Sequence, residues 1–289
     1  DGRQITARYL VNCAGGFADK IAEIAGDKFF EIIPRAGEYM LLDKSEGETV
    51  SHTIFQVPTA NGKGILVTPT ADGNLLLGPT AERVNTPENT ETTAGGLKTV
   101  AELAKKSVPG VNTRAVITSF SGVRASEKSG DFIIKESEKI KGLIHAAAID
   151  SPGLSSSAAI AEYIVKLLEK SGLELTENPD FNGTREDTHA FKKMSDEEKD
   201  EYIKQNPAYG RIICRCETVS EGEIIDALRR NPKATDIDGV KRRTRAGMGR
   251  CQGGFCMPYV MRLIEKETGK PMTEITKKGG KSNTVTGRL

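Results

Sequence analysis

Four of the five cysteines in this 289-residue chain stand close together in the sequence, as Cys214-x-Cys216 and Cys251-x4-Cys256. An odd number of cysteines, clustered in this way, argues against a disulfide framework, which uses paired cysteines and occurs mainly in secreted proteins. Four thiolates are instead the ligands of an iron–sulfur cluster or a structural zinc ion. The spacing therefore predicts a metal centre, and four unconnected reduced cysteines are the alternative.

The residues around the cysteines favour iron over zinc. Zinc sites commonly place about two to four residues between paired cysteines, so the single residue between Cys214 and Cys216 suits zinc less well. Glycines at positions 247, 249, 253 and 254 let backbone N–H groups approach sulfur atoms. The basic run from Lys241 to Arg250 can offset the charge of a cluster, and a solvated face or a partner-docking patch explains it equally well. Zinc stays open as the alternative metal.

The overall composition excludes several classes of protein. The chain has 41 Lys and Arg against 40 Asp and Glu, so its net charge of +1 creates no general attraction for nucleic acid. No apolar run reaches the roughly 18 residues of a membrane span, and no signal peptide is evident. We therefore expect a soluble, cytoplasmic protein that does not bind nucleic acid. Any membrane association is expected to go through a partner.

The pattern before the cysteines predicts a mixed helix and sheet domain over residues 1–172. Residues 5–12 are rich in β-formers and lead through a glycine turn into an amphipathic helix, which is a doubly wound α/β element without earlier strands to join. This suggests that the chain begins inside a domain. Residues 29–120 alternate in short strands punctuated by Gly and Pro, which predicts an antiparallel sheet with one helix over residues 92–108.

The second half predicts a linker over residues 173–209, a small helical module over residues 210–268 and a loosely ordered tail over residues 269–289. The linker is polar, and Ser195 and Ser220 each begin a capping box before a short helix. The tail is rich in Lys, Gly, Ser and Thr.

The cysteine module resembles a known family. The sequence Cys-Arg-Cys-Glu at 214–217 and the segment 240–256, which ends in Arg-Cys-Gln-Gly-Gly-Phe-Cys, resemble the bacterioferritin-associated-ferredoxin-like (BFD-like) [2Fe-2S] module. The x4 gap is similar to the form fused to FAD-dependent dehydrogenases of the anaerobic glycerol-3-phosphate dehydrogenase type. The resemblance implies a [2Fe-2S] cluster on the four cysteines and an electron-acceptor protein or subunit as a partner.

Four segments of the first domain resemble the D-amino-acid-oxidase-like (DAO) family of FAD-dependent enzymes, namely residues 10–16, 34–39, 121–126 and 150–157. The resemblance implies an α+β chain: a partial FAD-binding α/β domain with an antiparallel-sheet substrate domain, followed by a small helical [2Fe-2S] domain. It also implies flavin contacts at Ala14, Gly15, Gly16, Gly122, Ser151, Pro152, Gly153, Leu154 and Ser155.

Candidate residues for the chemistry follow from residue type and position. Residues 151–155 precede a helix, whose N-terminus favours the negative charge of a reduced flavin, although a plain capped helix has the same pattern. Arg124 can clamp a carboxylate or phosphate, or form a surface salt bridge. His52 and His145 can accept a hydroxyl proton. His145 lies in an apolar run and suits a structural core position as well, and His52 suits an exposed one.

The expected activity combines these parts. No G-x-G-x-x-G occurs in the chain, so we expect the dinucleotide fingerprint of FAD binding to lie on a missing segment or a separate chain. The resemblance implies oxidation of glycerol-3-phosphate, a small anionic hydroxy substrate, to dihydroxyacetone phosphate by hydride transfer to flavin, with electrons relayed through the cluster. The alternatives are an L-2-hydroxyglutarate or related 2-hydroxy acid dehydrogenase, and a non-catalytic electron-transfer or zinc-stabilised interaction module.

Overall fold

The computed structural model describes residues 2–58, 64–185, 187–188 and 190–287. They form two compact units, Asp1–Pro179 and Asp180–Leu289, each with its own hydrophobic core. In the part of the chain that is described, no helix combines the length and the apolar character that a membrane crossing requires.

The first unit combines two sheets with three α-helices among its described residues. The strands are β1 (Leu10–Asn12), β2 (Ile33–Leu42), β3 (Leu66–Pro69), β4 (Leu75–Gly78), β5 (Glu82–Arg83), β6 (Val116–Ser126), β7 (Ile133–Glu136) and β8 (Leu143–Ala147). The helices are α1 (Ala18–Ile24), α2 (Ala94–Ser107) and α3 (Gly153–Lys170).

The smaller sheet has the order β1-β8-β7, and β1 runs parallel to β8. Every residue of β8 is buried, as expected for a strand covered on both faces. Because the chain pairs with β8 only from Leu10 onward, the strand predicted over residues 5–12 is reduced to its last three residues. The parallel strands β1 and β8 end at the same edge of the sheet, where the segments after Asn12 and Ala147 emerge.

The larger sheet is antiparallel, as predicted. Its strands lie side by side in the order β3-β4-β2, and β2 also pairs with both β5 and β6. Its core side chains include Leu42, Val67, Leu75 and Leu77, which pack with Val100 of α2. The predicted strand near residues 53–56 is a single bridge between Ile54 and Val67. Strand β6 continues to Ser126, six residues past the predicted limit of the sheet at 120. The α+β fold class is confirmed.

A buried carboxylate joins α2 to the larger sheet. Glu38 on β2 is 4% exposed and accepts hydrogen bonds from the Thr93 backbone N–H at 2.8 Å and from its hydroxyl at 2.9 Å. Thr93 in turn caps α2 by accepting a hydrogen bond from the N–H of Gly96. The start of α2 is therefore fixed by the hydrogen bonds between its N-cap residue, Thr93, and Glu38 of the sheet.

The second unit is mainly helical. Its elements are α4 (Ala190–Lys193), α5 (Asp196–Gln205), β9 (Ile212–Cys214), β10 (Val219–Ser220), α6 (Glu221–Arg229), α7 (Ile237–Thr244) and α8 (Met257–Thr268). Both predicted capping boxes are present, at Ser195 with Glu198 and at Ser220 with Glu223. Two of the cysteines, Cys214 and Cys256, belong to the core of this unit.

The segment predicted as a linker over residues 173–209 divides at Pro179, and its later part packs on the cysteine module. The rings of Phe191, Tyr202 and Tyr209 contact one another. The Tyr209 hydroxyl donates a 2.5 Å hydrogen bond to Asp226 on α6. The sequence signal for this packing was the presence of three aromatic side chains in the segment. The polar composition of the rest of the segment led instead to the prediction of a linker.

The described part of the tail, residues 269–287, is ordered against the second unit, contrary to the expectation of a loose tail. Ile275 is 1% exposed in the core of the second unit, and Thr276 bridges Asn283. One isoleucine in a polar segment is a weak sequence signal, because only the tertiary structure provides the surface that buries it.

Ile275→Ala is expected to destabilise the second unit by about 3 kcal/mol, since it removes fully buried methyl groups and leaves a cavity. Urea unfolding, followed separately in each unit, measures this. The same substitution at Ile24, which is 83% exposed, should change stability by less than about 0.5 kcal/mol. Equal stability of the two variants would show that the tail does not pack as described.

Candidate functional site

The first candidate site lies at the edge where β1 and β8 end. The turn that contains Ala14, Gly15 and Gly16 follows β1, and residues 148–155 follow β8. The end of β6 joins them, because Ser126 donates a short hydrogen bond from its hydroxyl to Asp150 and Ala125 packs in one cluster with Ala14 and Ala148. In open α/β sheets, ligands bind outside the carboxyl ends of the strands. The structure thus brings together three of the segments predicted to contact flavin.

Asn12 organises the first of these segments. Its side-chain oxygen accepts a hydrogen bond from the N–H of Ala14 at 3.3 Å, and its amide nitrogen donates to the carbonyl of Ala18 at 2.8 Å. Gly15 has a φ of +55°, and a Cβ on Gly16 would overlap the Pro87 side chain. The turn therefore requires glycine at both positions, for a conformational reason at Gly15 and a steric one at Gly16.

Helix α3 begins at Gly153, so Leu154 and Ser155 lie in its first turn rather than before it. Pro152 occupies the N-cap position without a side-chain cap, and the Ser155 hydroxyl donates to the Pro152 carbonyl at 3.0 Å. Ser151, Pro152 and Ser155 are exposed, and Leu154 is 92% exposed. An exposed helix start without a side-chain cap suits an anionic group of a cofactor.

Asp150 is a functional candidate that sequence reasoning missed. Its carboxylate accepts hydrogen bonds from the Ser126 hydroxyl and from the Ser151 N–H, and one oxygen lies 3.8 Å from Nε of Arg124. Asp150 therefore ties β6 to the loop before α3 and orients Arg124. Its position three residues after the end of the buried strand β8 was the available signal.

Arg124 lies on β6 with its side chain 27% exposed. A Cβ on Gly37 would collide with the Arg124 guanidinium, so this side chain extends across Gly37 of β2. Gly122, which pairs with Gly37, is exposed and has open space where a side chain would be. The next pair on the same face of the two strands is Tyr39 with Phe120, whose rings stack at 5.1 Å. Arg124 thus borders an open face with an aromatic wall.

His52 does not join this site. Its ring nitrogen Nδ1 is hydrogen-bonded to the Ser51 hydroxyl at 2.9 Å, on an exposed loop just before the Ile54 bridge to β3. Four strand spacings separate this bridge from the strand that carries Arg124, because β3, β4 and β2 lie between the bridge and β6. Four spacings correspond to roughly 19 Å across the sheet. The structure thus gives His52 the exposed position that the sequence also allowed, away from Arg124, and sequence order does not reveal this separation.

His145 is a structural histidine in this fold. It is fully buried, with Nε2 at 3.1 Å from the Asp27 carboxylate and Nδ1 at 3.2 Å from the Asn12 amide nitrogen. The tautomer that satisfies both contacts carries its proton on Nε2. A hydrogen bond from the Ser137 hydroxyl, supported by His145, lowers the pKa of Asp27 against the effect of burial. This geometry favours the structural core position that the sequence left open for His145, and a catalytic role stays an untested prediction.

His145→Phe is expected to destabilise the first unit by about 2–4 kcal/mol. The new ring keeps the edge contacts with Phe29 and Phe30 but leaves the buried Asp27 carboxylate without its N–H donor. Chemical denaturation measures the loss, and His52→Phe on the exposed loop serves as the control. An unchanged stability together with a lost reaction would restore His145 as a catalytic candidate.

The second candidate site is formed by the four cysteines of the second unit. Cys214 ends β9, Cys216 follows in the turn, Cys251 lies in the loop after α7 and Cys256 is the N-cap of α8. They line one pocket of about 540 Å³, together with Arg211, Ile212, Ile213, Arg215, Phe255 and Tyr259. Cys216 is exposed, whereas Cys214 and Cys256 are buried.

The sulfur atoms are arranged as two pairs. Cys256 donates a hydrogen bond to Cys214, and this bond lowers the pKa of Cys214 to about 6 although burial opposes the change. In the other pair, Cys216 donates to Cys251 over 3.6 Å, and this bond raises the pKa of Cys216. Because each pair shares a thiol proton, metal binding would release protons here.

Backbone N–H groups also point to the sulfurs. Burial raises the pKa of Cys251, but hydrogen bonds from the Phe255 N–H, the Cys216 thiol and the N–H groups of Gly253 and Gly254 together outweigh it, so the pKa is lowered overall. A Cβ on Gly249 would overlap the Cβ of Cys216, so this glycine lets the two cysteine loops approach. Hydrogen bonds to sulfur stabilise thiolates and tune iron–sulfur clusters.

The two-pair arrangement fits a cluster better than a single ion. Among the described residues, no group of three or more His, Cys, Asp or Glu side chains is placed to hold one metal ion. Tetrahedral zinc needs its ligands around one point, whereas a [2Fe-2S] cluster takes two cysteines on each iron.

The basic run is not one uniform patch. Arg245 pairs with the buried Glu217 at 2.8 Å, next to Cys216. Lys241 donates to the Gln252 side chain at 3.2 Å, in the loop that carries Cys251. These two residues stabilise the cysteine loops. The docking role of the run stays a prediction.

Comparison with known proteins finds a family for each of the two units. Residues 1–167 match the family described as FAD dependent oxidoreductase (DAO), and residues 212–266 match the BFD-like [2Fe-2S] binding domain. The chain is 46% identical over 280 residues to the glycerol 3-phosphate dehydrogenase of Caloramator mitchellensis, with 97% of this chain and 58% of that protein covered. It is 33% identical over 182 residues to the glycerol 3-phosphate oxidase of Mycoplasma genitalium, with 62% and 47% covered.

A solved structure is similar to the first unit. It is the dithionite-reduced L-alpha-glycerophosphate oxidase of Mycoplasma pneumoniae with FAD bound, with a TM-score of 0.55 and 31% identity over 62% of this chain and 46% of that chain. The chain thus spans less than two thirds of the length of each of these relatives.

The chain combines a domain of a flavin-dependent family with a domain of an iron–sulfur family. The chain belongs to the FAD dependent oxidoreductase (DAO) family and carries a BFD-like [2Fe-2S] binding domain. FAD and a [2Fe-2S] cluster are the cofactors of these two domain types. The [2Fe-2S] cluster, and not zinc, is therefore the interpretation of the four-cysteine centre.

Proposed function

We propose that the protein oxidises glycerol-3-phosphate to dihydroxyacetone phosphate and passes the electrons to an acceptor protein or subunit. The main observation in support is that Arg124, the glycine turn after β1 and the start of α3 lie at one edge of the first unit. The same chain also has four cysteines, arranged as two pairs, in the second unit. The similarity to glycerol 3-phosphate dehydrogenase and oxidase supports the choice of substrate.

In this proposal, the residues of the first unit bind the substrate and the flavin and orient them. Arg124 holds the anionic group of the substrate through its planar fork, and Asp150 keeps the guanidinium in place. Ala14, Gly15 and Gly16 present a surface without side chains beyond Cβ, against which a flavin ring can lie. Gly122 keeps the face beside Arg124 open, and the exposed first turn of α3, with Ser151 to Ser155, faces the same edge and favours negative charge. Bound FAD supplies the hydride acceptor.

The residues of the second unit hold the relay. Cys214, Cys216, Cys251 and Cys256 are the proposed ligands of the [2Fe-2S] cluster, which supplies one-electron transfer when bound. The exposure of Cys216 places one ligand at the protein surface, where an acceptor can approach. A cytoplasmic location stays a prediction from the sequence, and cell fractionation tests it.

Anaerobic titration of the full-length holoenzyme tests the proposed function. Glycerol-3-phosphate is expected to bleach the flavin absorbance and then to produce the EPR signal of the reduced cluster. L-2-hydroxyglutarate at the same concentration should leave both unchanged. Reduction by L-2-hydroxyglutarate alone would contradict the proposed substrate, and flavin bleaching without any cluster signal would contradict the relay.

A further inference from the structure

Three arginines lie side by side across the larger sheet. Strand β2 pairs with β6 on one side and β5 on the other, and Arg35 is directly opposite both Arg124 of β6 and Arg83 of β5. Directly opposite residues on neighbouring antiparallel strands project from the same face, with Cβ atoms about 5 Å apart. We name this set, Arg83, Arg35 and Arg124, the arginine row.

The positive charge of the row is poorly compensated within the unit. Like charges directly opposite one another destabilise a sheet. Among the described residues, Arg124 has Asp150 at 3.8 Å, whereas neither Arg35 nor Arg83 forms an ion pair with a carboxylate. Arg35 reaches only the carbonyl of Ala81, at 3.5 Å. Glu82 projects from the opposite face, since side chains alternate along a strand.

A dianion with several oxygens would compensate this charge. A carboxylate carries one charge and two oxygens, and the fork of Arg124 alone can satisfy it. A phosphate monoester carries nearly two charges at neutral pH and three peripheral oxygens, so it can accept hydrogen bonds from more than one guanidinium. The row lies next to the exposed Gly122, so a bound anion would meet the open face described above.

We propose that the arginine row is a phosphate-binding site in which Arg35 and Arg83, together with Arg124, select a phosphorylated substrate over a carboxylate one. The assignment of this phosphate to the substrate rests on the proposed function. The binding of phosphate itself does not.

Inorganic phosphate is the probe for the first experiment, with the full-length holoenzyme. Phosphate should raise the melting temperature of the unaltered enzyme in a saturable manner, because a ligand that binds only the folded state stabilises it. Arg35→Gln and Arg83→Gln should weaken the apparent phosphate affinity by about tenfold and threefold. Both should melt no lower than the unaltered enzyme in phosphate-free buffer, since they relieve repulsion between like charges. Arg114→Gln, an exposed arginine elsewhere in this unit, is the matched control.

Steady-state kinetics provide the second readout. Arg35→Gln should raise the KM for glycerol-3-phosphate about tenfold, with a smaller effect on kcat, and Arg35→Lys should recover part of the loss because it restores the charge without the fork. Equal phosphate affinity in Arg35→Gln, Arg83→Gln and Arg114→Gln would overturn the arginine row while leaving the proposed function intact. Tight, row-dependent phosphate binding in an enzyme that does not oxidise glycerol-3-phosphate would overturn the proposed function alone.

Discussion

Cys256→Ser is expected to lower the bound iron by more than about tenfold and to remove the EPR signal of the reduced cluster. Cys256 is 3% exposed at the start of α8, and its sulfur faces Cys214. Serine offers a hard oxygen in place of a soft thiolate, and soft ligands are those that iron–sulfur clusters select. Because the N-cap position tolerates serine well, the helix itself should persist.

The fifth cysteine provides the matched control. Cys13→Ser makes the same chemical change at an exposed position of the first unit, and its iron and sulfide content should equal that of the unaltered protein. Glycerol-3-phosphate should still bleach the flavin in Cys256→Ser, since the flavin segments belong to the first unit, while transfer to an external acceptor slows. Normal iron in Cys256→Ser, or stoichiometric zinc without iron in the unaltered protein, would disprove the cluster assignment.

Arg124→Gln is expected to raise the KM for glycerol-3-phosphate at least about 100-fold. The substitution removes two charge-assisted hydrogen bonds, each worth about 1.5–3 kcal/mol, and a tenfold loss corresponds to 1.4 kcal/mol. It also leaves the Asp150 carboxylate without the guanidinium that lies 3.8 Å away. The effect should exceed that of Arg35→Gln, because the Arg124 side chain is the more buried of the two and extends across Gly37.

Two control variants test whether the effect depends on the guanidinium of Arg124. Arg124→Lys should recover only part of the affinity, because an ammonium group provides charge without a planar fork. Arg114→Gln removes an equal charge from an exposed position and should leave the KM within about twofold. A KM in Arg124→Gln that matches Arg114→Gln would mean that Arg124 forms only the surface salt bridge that its residue type also allows.

Local patterns in the sequence were sufficient for several features. The capping boxes at Ser195 and Ser220 form as predicted, because a capping box depends on residues three positions apart. The antiparallel character of the larger sheet follows from short alternating strands with Gly and Pro between them. The four-cysteine centre follows from ligand type and spacing, and the match to the BFD-like domain agrees with it.

Other features depend on which distant residues meet. The sequence allows His145 to be either a catalytic base or a core residue, and its buried contacts with Asn12 and Asp27 favour the core position. His52 and Arg124 are both polar residues near strands, and the strand order separates them.

The sequence by itself thus determined the two-part organisation, the helix starts and the thiolate centre, because spacing and local hydrogen bonds carry that information. Only the tertiary structure decided the role of Asp150, the packing of Ile275 and the alignment of Arg83, Arg35 and Arg124. The physical reason is that strand register and burial depend on contacts between residues far apart in the chain, and no local pattern records them.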